Sequence, residues 1–95
     1  MDGIHLMQLA LVKGRATSTV KHRSLQGRKM LICQLLGNEG QSAGDPVLAV
    51  DSLGAGAGDR VILSSDGQGL RELLNDGNSP VRWWTLGIVD ELITP

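Results

Sequence analysis

From Ala10 the chain alternates: Ala10, Val12, Gly14, Ala16, Ser18 and Val20 are small or apolar, and Lys13, Arg15, Thr17, Thr19 and Lys21 between them are polar. That period of two predicts a strand with one solvated face and a close-packed inner face. His22-Arg23-Ser24-Leu25-Gln26-Gly27 interrupts the pattern, and a second run, Arg28 to Leu36, is apolar on both parities through Met30, Leu31, Ile32, Cys33, Leu35 and Leu36. A strand apolar on both faces must be covered on both. Too little helix is expected in this chain to supply the second cover, so Met30, Leu31, Ile32 and Cys33 are candidates for an apolar face between subunits.

The polar, Gly-rich stretch 37–46 reads as a turn connection. Val47 to Val50 and Val61 to Ser64 read as short strands, separated by Asp51-Ser52-Leu53-Gly54-Ala55-Gly56-Ala57-Gly58-Asp59-Arg60. Leu70-Arg71-Glu72-Leu73-Leu74 has helical spacing, with Ser65 or Asp66 available as N-cap and Gly77 as the stop, which predicts one or two turns. Pro80 ends that option, and Val81 to Val89 forms the last strand. Five strands and one short helix with glycines at the corners predict an all-β fold, a small OB-like β-barrel.

Composition sharpens this outline. The chain has 95 residues, 13 Gly, no Phe and no Tyr, so its core is aliphatic with Trp83 and Trp84 as the only large rings. A single domain of this length buries a thin core, and association with other copies would add to it. One cysteine excludes an internal disulfide framework and suits a reducing cytosol. No apolar run is long enough for a membrane span, and the first residues lack a signal-peptide pattern. The net charge of −1 is unevenly spread: residues 1–38 carry six basic residues against Asp2, and residues 39–95 carry three against nine acids. Such a division fits a basic surface for nucleic acid, complementary surfaces within or between copies, or solvated strand faces.

No catalytic constellation is present. His5 and His22 stand apart, Cys33 lies mid-strand as a small buried hydrophobe, and no spacing matches a metal site. Ser52 beside Asp51 lacks a histidine partner and reads as a turn or strand cap. Asp90 and Glu91 point to opposite faces of a strand and cannot share a reacting atom. The glycine-rich Gly54-Ala55-Gly56-Ala57-Gly58 is followed by Asp59-Arg60 and a strand rather than by the helix or Lys-Ser/Thr pair that a nucleotide cradle requires. Its alternate glycines instead permit a tight loop that could pack at a symmetry axis. Expected cofactors and metals are therefore none. A single-stranded nucleic-acid-binding barrel is the alternative reading. It is short of aromatic platforms, since the adjacent tryptophans face opposite ways on a strand. A small-molecule binder using the Gly-rich loop is a second rival.

Several segments, in order, resemble the vertex protein family of bacterial microcompartments. Lys13-Gly14-Arg15-Ala16-Thr17-Ser18-Thr19-Val20-Lys21 is similar to the family's opening strand, and Leu25-Gln26-Gly27-Arg28-Lys29 with the apolar run to Gln34 is similar to its second. Ala49-Val50-Asp51-Ser52-Leu53-Gly54-Ala55-Gly56 resembles its signature loop, and Pro80-Val81 with Leu86-Gly87-Ile88-Val89-Asp90 its closing strand. The segment Asp66 to Arg71 keeps the family's Gly and Arg but not its serines. The resemblance begins at Met7, so residues 1–6 are expected to be an N-terminal extension, or Met7 the natural start, with residues 7–95 a single vertex protein domain. It implies a non-enzymatic, cytoplasmic shell protein: a homopentamer capping fivefold vertices, contacting hexameric shell proteins, with no nucleic acid and no membrane. It also places Asp51, Ser52, Leu53, Gly54, Ala55 and Gly56 at the subunit interface near the fivefold axis.

Overall fold

The apolar runs of the sequence become five strands that close on themselves. In a computed structural model, residues 7–16, 28–74 and 81–89 are described. The elements are β1 (Met7–Ala16), β2 (Lys29–Leu35), β3 (Val47–Asp51), β4 (Arg60–Ser64), α1 (Gly67–Leu74) and β5 (Trp83–Val89). They form a closed barrel in the order β1-β2-β3-β5-β4, all pairs antiparallel except β3 with β5. Closure gives every described strand a partner on each side.

The interior is filled from alternate positions of every strand. Ala10, Val12, Leu31, Cys33, Ala49, Val61 and Leu63 form one buried cluster with Ala55, and Trp83 packs against it. A second cluster lies outside the barrel wall, where Leu70 and Leu74 of α1 cover Met30, Val50 and Val81, with Ala16 and Trp84 at its margin. The short helix therefore covers part of the second face of β2, a correction to the expectation that a neighbouring subunit supplies that cover. Eight residues suffice because the covered row, Ala16-Met30-Val50-Trp84, runs across four strands at one level.

The alternation of β1 is also corrected. Its register against β2 slips between Val12 and Gly14, so Ala10 and Val12 point inward while Gly14 and Ala16 pair with Ile32 and Met30 of the outer face. A bulge inserts one residue and exchanges the faces beyond it. The continuation of that alternation through Ser18 and Val20 lies outside the described residues.

Helix α1 is held at both ends. Asp66 is the N-cap: its Oδ1 accepts from the Gln68 N–H at 3.2 Å. At the other end Arg28 Nη2 donates to the Leu73 carbonyl at 2.7 Å, satisfying an acceptor that has no partner within the helix. The expected stop at Gly77 lies outside the described residues. The indole of Trp84 donates to the Asp66 carbonyl at 3.4 Å and lies over Gly69, where an added Cβ would come within 2.7 Å of the ring. Gly69→Ala, which in an open helix gains about 1 kcal/mol, is therefore expected to lower stability by roughly 1–2 kcal/mol through overpacking. Thermal melting checks this, and a raised Tm would overturn the account of Gly69.

Candidate functional site

The glycine-rich loop after β3 is built around one buried carboxylate. Asp51 ends β3 with its side chain fully removed from solvent. The N–H of Leu53 donates to its Oδ1 at 3.1 Å, and those of Gly54 and Ala55 donate to its Oδ2 at 3.0 Å each. Thr85 Oγ1, from β5, donates to Oδ1 at 2.9 Å. Lys29 Nζ, from β2, stands 3.6 Å from Oδ2 and donates to the Ala55 carbonyl at 3.0 Å. One carboxylate thus ties the loop to the strands on both sides of β3. Gly54 sits at φ 88°, a conformation that favours glycine, which lets three successive amides converge on the acid.

Burial alone would raise the Asp51 pKa, but the amide and hydroxyl donors outweigh it and hold the group below its ordinary value. The loop is therefore charged, satisfied and rigid. It presents Ser52, Leu53 and Gly54 outward, with Leu53 46% exposed, while Ala55 is drawn into the barrel core. Gly56 is held separately by its N–H to Asp59 Oδ2 at 2.9 Å. The reading of Asp51 as a cap is visible in the sequence, because Asp commonly accepts from amides a few residues on. Its partners Lys29 and Thr85 are distant in sequence and carry no local signal.

The four candidates on β2 separate. Leu31 and Cys33 are 0% exposed inside the barrel, and Met30 lies under α1. Only Ile32 keeps a partly open side chain, on the outer face. Of the four residues expected at a surface between subunits only Ile32 is open to such a contact, because strand parity sends Leu31 and Cys33 inward and the helix occupies Met30. Burial, reinforced by the charge of Asp51, pushes the Cys33 thiol up to about 11, so it is a neutral core group. Trp83 faces the inner cluster and Trp84 the helix, opposite sides as expected. Among the described residues no group of three or more His, Cys, Asp or Glu could hold a metal ion, and no helix is long and apolar enough to cross a membrane.

The family model described as "Ethanolamine utilisation protein EutN/carboxysome" matches residues 7–90. The chain belongs to the EutN/CcmL family. The microcompartment shell vertex protein EutN of Escherichia coli (strain K12) is 36% identical over 88 residues, covering 93% of this chain and 92% of the relative. The carboxysome shell vertex protein CcmL of Thermosynechococcus vestitus is 37% identical over 84 residues, covering 88% of this chain and 84% of the relative. Among solved structures, an ethanolamine utilization protein EutN superposes with a TM-score of 0.75 at 36% identity, covering 92% of this chain and 90% of that one. The pentameric microcompartment shell protein GrpN from Rhodospirillum rubrum superposes with a TM-score of 0.71 at 34% identity, covering 93% of this chain and 98% of that one.

Proposed function

We propose that this chain is a structural, non-enzymatic vertex subunit of a bacterial microcompartment shell in the bacterial cytoplasm, acting as a homopentamer set among hexameric shell proteins. The observation that carries the reading is the match to shell vertex proteins over nine-tenths of the chain, joined to a pentameric relative of the same fold. Head-to-tail packing of identical subunits closes into a ring when the rotation between neighbours divides a full turn. A fivefold ring supplies the curvature that a flat sheet of hexamers lacks.

In this reading the Asp51 loop lies near the fivefold axis. Support comes from its construction: a fixed backbone presenting Ser52, Leu53 and Gly54 suits a surface that meets copies of itself, whereas a catalytic loop would offer polar groups with unmet hydrogen-bonding capacity. The nucleic-acid alternative is not favoured, since Trp83 and Trp84 are both packed against apolar clusters rather than displayed for base stacking.

Native mass spectrometry of the purified chain tests the reading. Five copies of 10.1 kDa predict a species of about 50 kDa. Leu53→Glu would place five carboxylates together near the axis, so its pentamer should be weakened at low salt and recover as salt screens the repulsion. A wild-type monomer or dimer would remove the vertex role. A wild-type pentamer with a salt-insensitive Leu53→Glu variant would move the loop away from the axis.

A further inference from the structure

A ring built head to tail needs two different surfaces on each copy, and the barrel carries two outer rows of the same unusual make-up. The first runs across β1, β2 and β3 as Gly14, Ile32 and Leu48. The second runs across β1, β4 and β5 as Leu9, Ile62 and Gly87. Both lie outside the wall, since their strand neighbours Leu31, Cys33, Ala49, Val61 and Leu63 are all fully buried inside it. Helix α1 covers the row of Met30 and Val50 and does not reach the next row, where Leu48 is 36% exposed among the described residues. Beside the second row Leu86 is 46% exposed.

The glycines single these rows out. Glycine weakens a strand and in strand interiors marks a bulge or a close approach by another backbone. Gly14 and Gly87 each lie near a register irregularity, yet neither has the positive φ that would make a bulge demand glycine. Apart from its chain neighbours, an added Cβ at either would meet no heavy atom of the described residues within 4 Å. Nothing inside the described residues requires these two positions to lack a side chain. The contrast with Gly69, which the Trp84 ring fills, and Gly54, which needs its φ of 88°, is direct.

Each glycine makes a notch in an apolar row beside an isoleucine. The topology sets the rows apart: in the ring β1-β2-β3-β5-β4, strand β4 lies across the barrel from the β2–β3 seam. The rows centre on β2 and β4, which flank β1 on its two sides, so they face different directions, as a heterologous contact requires.

We propose that the Gly14-Ile32-Leu48 row of one copy docks against the Leu9-Ile62-Gly87 row of the next, each glycine notch admitting the neighbour's backbone or aliphatic side chain. The occupant is a second copy of this chain, and the inference rests on the ring reading above while adding which faces meet.

The test uses the full chain. Gly14→Leu and Gly87→Leu add a side chain where no described residue stands within 4 Å of the new Cβ apart from its chain neighbours, so both are expected to stay folded by circular dichroism and to lose the pentamer roughly tenfold or more in native mass spectrometry. Glu72→Leu, on the exposed side of α1, should leave the pentamer intact. As a second measurement, chains carrying Leu48→Cys and Leu86→Cys are co-expressed and treated with a short bismaleimide. Cross-links are expected between the two variants in mixed rings and not in rings of either variant alone, and the buried Cys33 should contribute none. A wild-type chain that forms no ring overturns the ring reading together with this one. A wild-type ring that survives both glycine substitutions, or mixed rings without the mixed cross-link, overturns the pairing of rows and leaves the ring standing. Cross-links within rings of one variant alone would show a self-complementary contact and also overturn it.

Discussion

Leu31→Asp is expected to yield no folded chain, and Ile32→Asp, one residue further along β2, a folded chain that does not assemble. Leu31 is fully buried in the inner cluster with Val12, Cys33, Ala49 and Leu63. Replacing it forfeits roughly 2–3 kcal/mol of apolar burial and places an unpaired carboxylate where no donor reaches it, at a further several kcal/mol. A total loss of about 6 kcal/mol or more is comparable with the whole stability of a domain of this size. Ile32 is on the other parity, over the outer face between Gly14 and Leu48, where a carboxylate keeps contact with water in the isolated chain. Its cost to the monomer is expected to be about 1 kcal/mol, while in the assembled ring it would be buried without a partner. Circular dichroism and proton chemical-shift dispersion report folding, and native mass spectrometry reports assembly. Two unfolded variants would show that the outer row belongs to the monomer core, and two assembled variants would show that β2 takes no part in the contact.

This pair of neighbours illustrates what could be read from the chain without its structure. That Met30 to Cys33 is apolar on both parities was plain, and so was the inference that two covers are needed. Which cover goes where depends on α1, whose Leu70 and Leu74 reach Met30 and Val50 across forty or twenty residues of chain. Helical spacing locates α1 and offers Ser65 or Asp66 as its cap, but no local pattern tells a helix which row of a distant sheet it will lie on. The bulge in β1 was invisible for a related reason: Gly14 and Ala16 are small enough to read as inward or outward, so the alternation looked unbroken through the slip. Strand existence, strand number and the closed barrel were legible because apolar runs and Gly-rich breaks carry them directly. The proposed assembly surfaces are only partly legible: the apolar run offers Met30, Leu31, Ile32 and Cys33 alike, whereas Leu48, Ile62 and Gly87 acquire meaning from register, which is a property of paired strands and not of any one segment.

Asp51→Asn is the second large effect expected, about 3 kcal/mol of lost stability at neutral pH. The carboxylate receives three backbone N–H donors and the Thr85 hydroxyl, with Lys29 beside it. Hydrogen bonds to a charged acceptor contribute about 1.5–3 kcal/mol, and a buried donor left without its acceptor costs about 1–3 kcal/mol. Asparagine offers one oxygen where the acid offers two, and turns its own amide donors toward amides already seeking an acceptor. The pH dependence separates this role from simple packing. Because the folded chain holds the Asp51 pKa below its unfolded value, the stabilisation is fully present above the unfolded value of about 3.9. It is lost as pH falls through the folded value. Wild-type stability should therefore be insensitive to this group near neutrality and decline in acid, and the Asn variant should start lower and decline less steeply. Guanidinium unfolding at neutral and at acidic pH, at one fixed protein concentration because assembly adds to apparent stability, checks both statements. Parallel acid profiles for the two proteins would show that the Asp51 charge does not stabilise the loop. The size of the neutral-pH difference matters for the shell as well. The same carboxylate that stabilises the barrel also holds Leu53 and Gly54 in place, so an Asn variant that still folds is expected to populate the pentamer less fully than its remaining stability alone would allow.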